Sequence, residues 1–123
     1  MTKIHLFDAN DDGCVDFAPG DVIFSEGDAG DFMYVVVSGE VDILLGNRVI
    51  DSTDAGGIVG EMAVIDGAQR SATALARTAV RAMPINQRRF LYLVQQTPFF
   101  AVQVMQILTE RHRRRLFAAA RAE

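Results

Sequence analysis

The sequence has 123 residues, half of them hydrophobic and 23% charged, with a formal net charge of −4. That length suits one domain burying roughly two thirds of the surface its unfolded chain would expose, and the acidic balance argues against a general nucleic-acid binder. A single cysteine, Cys14, excludes an internal disulfide, the start MTKIHLFDANDD lacks the apolar run of a signal peptide, and no apolar stretch approaches the ~18 residues of a membrane span, so a cytoplasmic protein without membrane contact is expected.

The first motif is DANDDG at 8–13. Asp8, Asn10, Asp12 and Gly13 match the first half of a calcium-binding loop. The twelfth loop position should carry a bidentate glutamate, and here it is Pro19. The segment reads instead as a solvated turn in which Asp and Asn cap local backbone groups.

From residue 14 to 57 the chain is punctuated by glycine. Between the glycines lie VIFS (22–25), FMYVVV (32–37), VDILL (41–45) and RVIDS (48–52), short and rich in β-branched or aromatic residues. Gly46-Asn47 suits a tight hairpin turn between the last two. Cys14 reads as a packed strand residue. SATALAR (71–77) and VRAMPI (80–85) are further strands, with Pro84 placing the second near an edge or a strand end. Many short strands predict a sandwich, jelly roll or barrel.

From Asn86 onward glycine is absent. NQRRFLYLVQQ places Phe90, Leu93 and Val94 at helical spacing, with Asn86 as N-cap. Thr97-Pro98 breaks this helix and opens the next, with threonine as its cap and proline in its first turn, and that helix runs to about residue 120. Phe100, Val104, Ile107 and Leu108 form its apolar stripe, widened by Val102 and Met105. Phe99 and Phe100 read as core aromatics. A β-domain followed by two helices is an α+β arrangement.

The stretch IVGEMAVIDGAQRSAT at 58–73 carries the chemistry. Gly60 permits a close backbone approach. Residues 61–65 make one short helical turn, ended by Asp66-Gly67, whose free amides suit a phosphate. Arg70 follows, beside the small Ser71 and Ala72. Its guanidinium fork suits phosphate oxygens. Glu61 and Arg70 either pair with each other, a structural salt bridge, or both face a small anionic ligand bearing hydroxyls.

Three features in order, PGDVIFSEGDAGDFMYVVVSGEVDIL at 19–44, VGEMAVIDGAQRSATALA at 59–76, and the two helices after residue 86, resemble the cyclic-nucleotide-binding domain family of the catabolite-activator and protein-kinase-A regulatory type. The resemblance covers roughly residues 14–117. It implies a β jelly roll at 14–85 with a short phosphate-binding helix, and closing helices at 86–121, one domain over 1–123. The implied ligand is cAMP or cGMP, without a metal. Carried over by position, Glu61 accepts from the ribose 2′-hydroxyl and Arg70 pairs with the cyclic phosphate. Gly60, Met62 and Ala63 offer amides or walls to the sugar-phosphate. The Ser71 hydroxyl reaches the phosphate or the exocyclic amine of a syn guanine. The last helix lids the base through Thr109, Arg111, His112 or Arg113, Arg111 being the chosen site residue. The chain departs from the pattern at Val59, where an aromatic is common, and at Gln69, often a proline.

The run Arg111–Arg115 otherwise reads as the solvated face of a terminal helix. A cupin-like metalloenzyme would need three or four clustered His and carboxylate ligands, and His5 and His112 lie far apart. No nucleophile–base pair is visible, so an enzyme is not expected. The function expected is a stand-alone sensor without a DNA-binding domain, its output passing to an effector in trans or through a homodimer of the last helix. The alternative is a ligand-independent dimerisation module with a degenerate pocket.

Overall fold

The structure, a computed structural model, describes residues 1–122. Eight strands come first: β1 (Val15–Phe17), β2 (Val22–Phe24), β3 (Met33–Ser38), β4 (Val41–Leu45), β5 (Arg48–Thr53), β6 (Ile58–Val59), β7 (Thr73–Ala76) and β8 (Val80–Ile85). A short helix α1 (Glu61–Ile65) interrupts them between β6 and β7, and α2 (Gln87–Gln96) and α3 (Phe99–Ala122) follow. The strands form two antiparallel four-stranded sheets, β1-β8-β3-β6 and β2-β7-β4-β5. This is the jelly roll that the family resemblance implies, one of the three architectures left open by the short strands.

Strand periodicity builds two cores from the same strands. On β3, Val36 faces the second sheet, packing with Val41, Val59, Ala74, Ala76, Val80 and Ala82. Met33 and Val35 point the other way and pack with Met83 and Ile85 of β8 and with Phe100, Val104 and Ile107 of α3. Alternation along a strand therefore places one face between the sheets and the other under the helices. Phe100 is fully buried and meets Phe90 of α2 at 5.4 Å between ring centroids.

The hairpin between β4 and β5 turns at Gly46-Asn47, as expected. Gly46 has φ 60° and Asn47 a negative φ, which matches a type II′ turn. Asn86 caps α2, its side chain accepting from the Arg89 amide at 2.8 Å.

Several expectations need correction. Cys14 precedes β1 rather than lying in a strand. Of the two places expected for Pro84, an edge or a strand end, the second holds: β8 lies between β1 and β3. The proline sits near the end of β8, past Ala82, where pairing with β1 stops. Thr97 closes α2 as its C-cap. Phe99 is 58% exposed, because neighbouring helical positions diverge by about 100° and only one of the aromatic pair can face the core. Val102 and Met105, expected to widen the apolar stripe toward a partner helix, stay exposed and leave the core to Phe100, Val104 and Ile107.

One tether had no signal in the sequence. Ile4 is buried in the core, and its amide donates to the Gly56 carbonyl at 2.7 Å. The Thr2 amide donates to both Glu110 carboxylate oxygens at 2.9 and 3.1 Å, and its hydroxyl to one of them at 2.8 Å. Lys3 pairs with Asp54. Residues 2–4 thus strap the middle of α3 to the loop between β5 and β6.

Candidate functional site

A cavity of about 250 Å³ opens where α1, the segment Gln69–Ala72 between α1 and β7, and α3 meet the second sheet. Phe24, Ile43, Leu45, Ile50 and Val59 give it apolar walls, and Gly60, Glu61, Met62, Ala63, Arg70, Ser71 and Arg111 all line it. These seven residues, all named as site residues from the sequence, therefore reach one cavity.

Arg70 is placed by main chain on both sides. Its amide donates to the Asp28 carbonyl at 2.8 Å, and its carbonyl accepts from Gly27 at 2.8 Å. Its guanidinium is buried, 8% exposed. Nη2 donates to the Phe32 carbonyl at 2.7 Å and Nη1 to the Gly60 carbonyl at 3.2 Å. The group lies over the Phe24 ring, 4.0 Å from its centroid, a favourable cation–π placement.

Two glycines clear the space for this guanidinium. A Cβ on Gly30 would stand 2.6 Å from Arg70 Nε. Gly60 has φ 75°, and a Cβ there would strike Arg70 Nη1 and come within 3.0 Å of the Phe24 ring. Gly60 also starts α1 from the left-handed region, so it serves both the turn and the packing.

What Arg70 lacks is an anion. Among the described residues no carboxylate forms a salt bridge with it, and its Nε is buried without any hydrogen-bond partner. Burial pushes the guanidinium's pKa down from its ordinary value; nearby Tyr34, Asp31, Asp28 and Glu61 oppose the shift. An arginine nevertheless stays charged. A buried cation with an idle donor is costly to hold, and an anion supplied from outside relieves that cost.

Glu61 answers the question its spacing from Arg70 raises. It does not pair with Arg70. It is buried, 7% exposed, and accepts from Arg111 Nη1 of α3 at 3.0 Å. Arg111 also donates to the Ile58 carbonyl, and its Nε lies 3.9 Å from Asp51 of β5. Arg114 reaches Asp51 at 3.1 Å. The last helix is thus fastened across the cavity mouth by two arginines. Of the four α3 residues considered for the lid, Arg111 lines the cavity; Thr109, His112 and Arg113 are not among its lining residues. Arg115 joins Arg111 at the wall, so the reading of the arginine run as a purely solvated face is corrected. The Ser71 hydroxyl touches the Met62 sulfur at 3.9 Å.

The sequence reading did not find Phe24, the Phe32 carbonyl, Gly30 or Asp51. Gly30 lay in a quoted motif but was read as punctuation. Nothing local marks a carbonyl as a guanidinium acceptor.

The family model described as "cyclic nucleotide-binding domain" matches residues 14–97. The chain belongs to the cyclic nucleotide-binding domain family. A CRP-like cAMP-activated global transcriptional regulator of Mycobacterium tuberculosis is 30% identical over 107 residues, covering 81% of this chain and 47% of the regulator. The chain therefore spans about half the length of that curated relative. The catabolite activator protein of Thermus thermophilus superposes with a TM-score of 0.75 at 28% identity, covering 87% of this chain and 53% of that one. The EAL enzyme Bd1971 in its cAMP-bound form gives a TM-score of 0.62 at 34% identity, covering 87% and 30%; its cGMP-bound form gives 0.62 at 33%, with the same coverage. Among the described residues no helix is long and apolar enough to cross a membrane.

Proposed function

We propose that this domain is a cytoplasmic sensor module that binds cAMP or cGMP in the cavity between α1 and α3, and that it acts through binding rather than catalysis. The observation that carries this reading is the buried Arg70, which has no counter-ion among the described residues and an idle Nε donor. A cyclic phosphate placed there would accept from Nε and satisfy the charge. The N-terminal amides of α1 and the backbone at Gly60 lie beside it.

Glu61 and Arg111 complete the design. Arg111 takes one carboxylate oxygen of Glu61, Oε1. The other is left to accept from a ribose 2′-hydroxyl, with Arg111 holding the carboxylate in place. The apolar walls Ile43, Leu45 and Ile50 give the base a surface, and α3 covers it. Ligand contact with residues of both the roll and α3 favours the arrangement in which α3 is docked, by no more than the difference in affinity between the two states. The relatives solved with cAMP and with cGMP support a cyclic nucleotide as the ligand class.

The output passes through α3 or an effector in trans. Val102, Met105 and Leu116 are exposed and spaced so as to share one helix face, which suits a homodimer seam. A thermal-shift series with cAMP, cGMP and linear AMP tests the ligand. Stabilisation by a cyclic nucleotide and not by AMP is expected. Absence of any shift at millimolar ligand would favour the ligand-independent dimerisation module.

A further inference from the structure

Away from the cavity, a groove of about 690 Å³ runs along the length of α2, against Phe32 just before β3 and Pro84 of β8. Phe32, Tyr92 and Leu93 form its apolar part, and Arg88 and Arg89 its rim. Phe32 and Tyr92 are 40% and 53% exposed. No carboxylate lines the groove, and α2 carries none in its whole length. Among the described residues, Arg88 makes neither an ion pair nor a side-chain hydrogen bond. In a chain of net charge −4, this is a local cationic rim around exposed aromatic surface.

The groove is also joined to the ligand cavity. Phe32 lines the groove, while its carbonyl accepts from Arg70 Nη2 at 2.7 Å. Gln87, in the first turn of α2, donates to the Val64 carbonyl of α1 at 3.0 Å.

We propose that this groove docks an acidic peptide segment of an effector protein, which lays one large apolar side chain against Phe32 and Tyr92 and sets its carboxylates on Arg88 and Arg89. The charge complementarity selects the occupant. Two arginines within a Debye length of about 10 Å act on a short peptide as a local attraction. A nucleic acid presents a long row of phosphates and meets the repulsion of the whole acidic chain. Aromatic and arginine side chains are the residue types that dominate binding energy at protein interfaces.

Selection of a random twelve-residue peptide display library on the immobilised chain tests this. The expected outcome is enrichment of peptides pairing a large apolar residue with neighbouring Asp or Glu. Synthetic copies should bind at least about tenfold more weakly to Arg88→Glu and to Tyr92→Ala. Both substitutions are on exposed positions, so unchanged melting temperatures are expected, and cyclic-nucleotide affinity should not change. Three results would overturn the proposal: no enrichment, enriched peptides without acidic residues, or binding to both variants as tight as to the parent. Tighter binding of a single-stranded oligonucleotide than of the enriched peptides would overturn it too.

Discussion

Glu61 and Arg111 are 50 positions apart in sequence and 3.0 Å apart in space, Oε1 to Nη1. The pair joins the short helix α1 to the last helix α3, and both side chains are nearly buried, 9% and 12% exposed. Sequence spacing set Glu61 beside Arg70; the fold gives it a different partner and leaves Arg70 for something else.

Arg111→Ala leaves the Glu61 carboxylate buried and alone. Destabilisation at or below the low end of the ~3–5 kcal/mol for breaking a buried pair is expected, since the cavity admits water. Adding Glu61→Gln should restore much of that loss. Urea denaturation of the two single variants and the double variant measures the coupling. Additive losses would show that the pair does not hold α3 to the roll.

Arg70→Met separates ligand binding from folding. A buried charge replaced by an apolar chain of similar length is often neutral or stabilising, and here no carboxylate is stranded. The ligand-free variant should melt at or near the temperature of the parent while losing cyclic-nucleotide stabilisation. A large drop in ligand-free stability would mean that the carbonyls of Phe32 and Gly60 and the Phe24 ring satisfy Arg70 fully.

Gly60→Ala combines two costs. A left-handed φ of 75° costs an alanine roughly 1–2 kcal/mol, and its Cβ also strikes Arg70 and Phe24. Gly20→Ala is the comparison, because its φ is 89° and no atom lies within 4 Å. Chemical denaturation should show the larger loss at Gly60, and only that variant should lose ligand affinity. Equal losses at the two positions would mean that the contact with Arg70 carries no weight.

The Thr2 tether predicts a pH dependence. The amide of Thr2, and then its hydroxyl, hold the Glu110 carboxyl below its ordinary 4.5. A lowered folded pKa contributes stability that is fully present above the unfolded value and is lost as pH falls through the folded one. Glu110→Gln mimics the protonated acid. Melting curves of parent and variant should differ above pH 4.5 and converge as pH falls below it. A difference that persists unchanged in stronger acid would remove Glu110 as the anchor.

The strands were legible because β-branched runs between glycines specify them by local preference; their closure into a jelly roll, rather than a sandwich or barrel, came from the family resemblance. The cavity's composition was legible too, since its glycine, carboxylate and guanidinium lie within eleven residues, Gly60–Arg70. Partnership was not. Arg111 belongs to a run in which Arg111, Arg114 and Arg115 share about 100° of helix arc, so periodicity groups the three and cannot select the one that reaches Glu61. The two-residue β6 is too short to show a period, and Lys3-Ile4-His5 gives no sign that Ile4 reaches the core. These features depend on contacts across 50 to 100 positions, which local pattern does not encode.

Calorimetric titration of the parent and of Arg70→Met with cAMP and with cGMP tests the central claim most directly. The parent should bind one of them at one site per chain, and the variant should bind it about 30- to several-thousand-fold more weakly, the equivalent of roughly 2–5 kcal/mol for a buried charge contact. Equal affinity in the two proteins would contradict the assignment of the phosphate to Arg70.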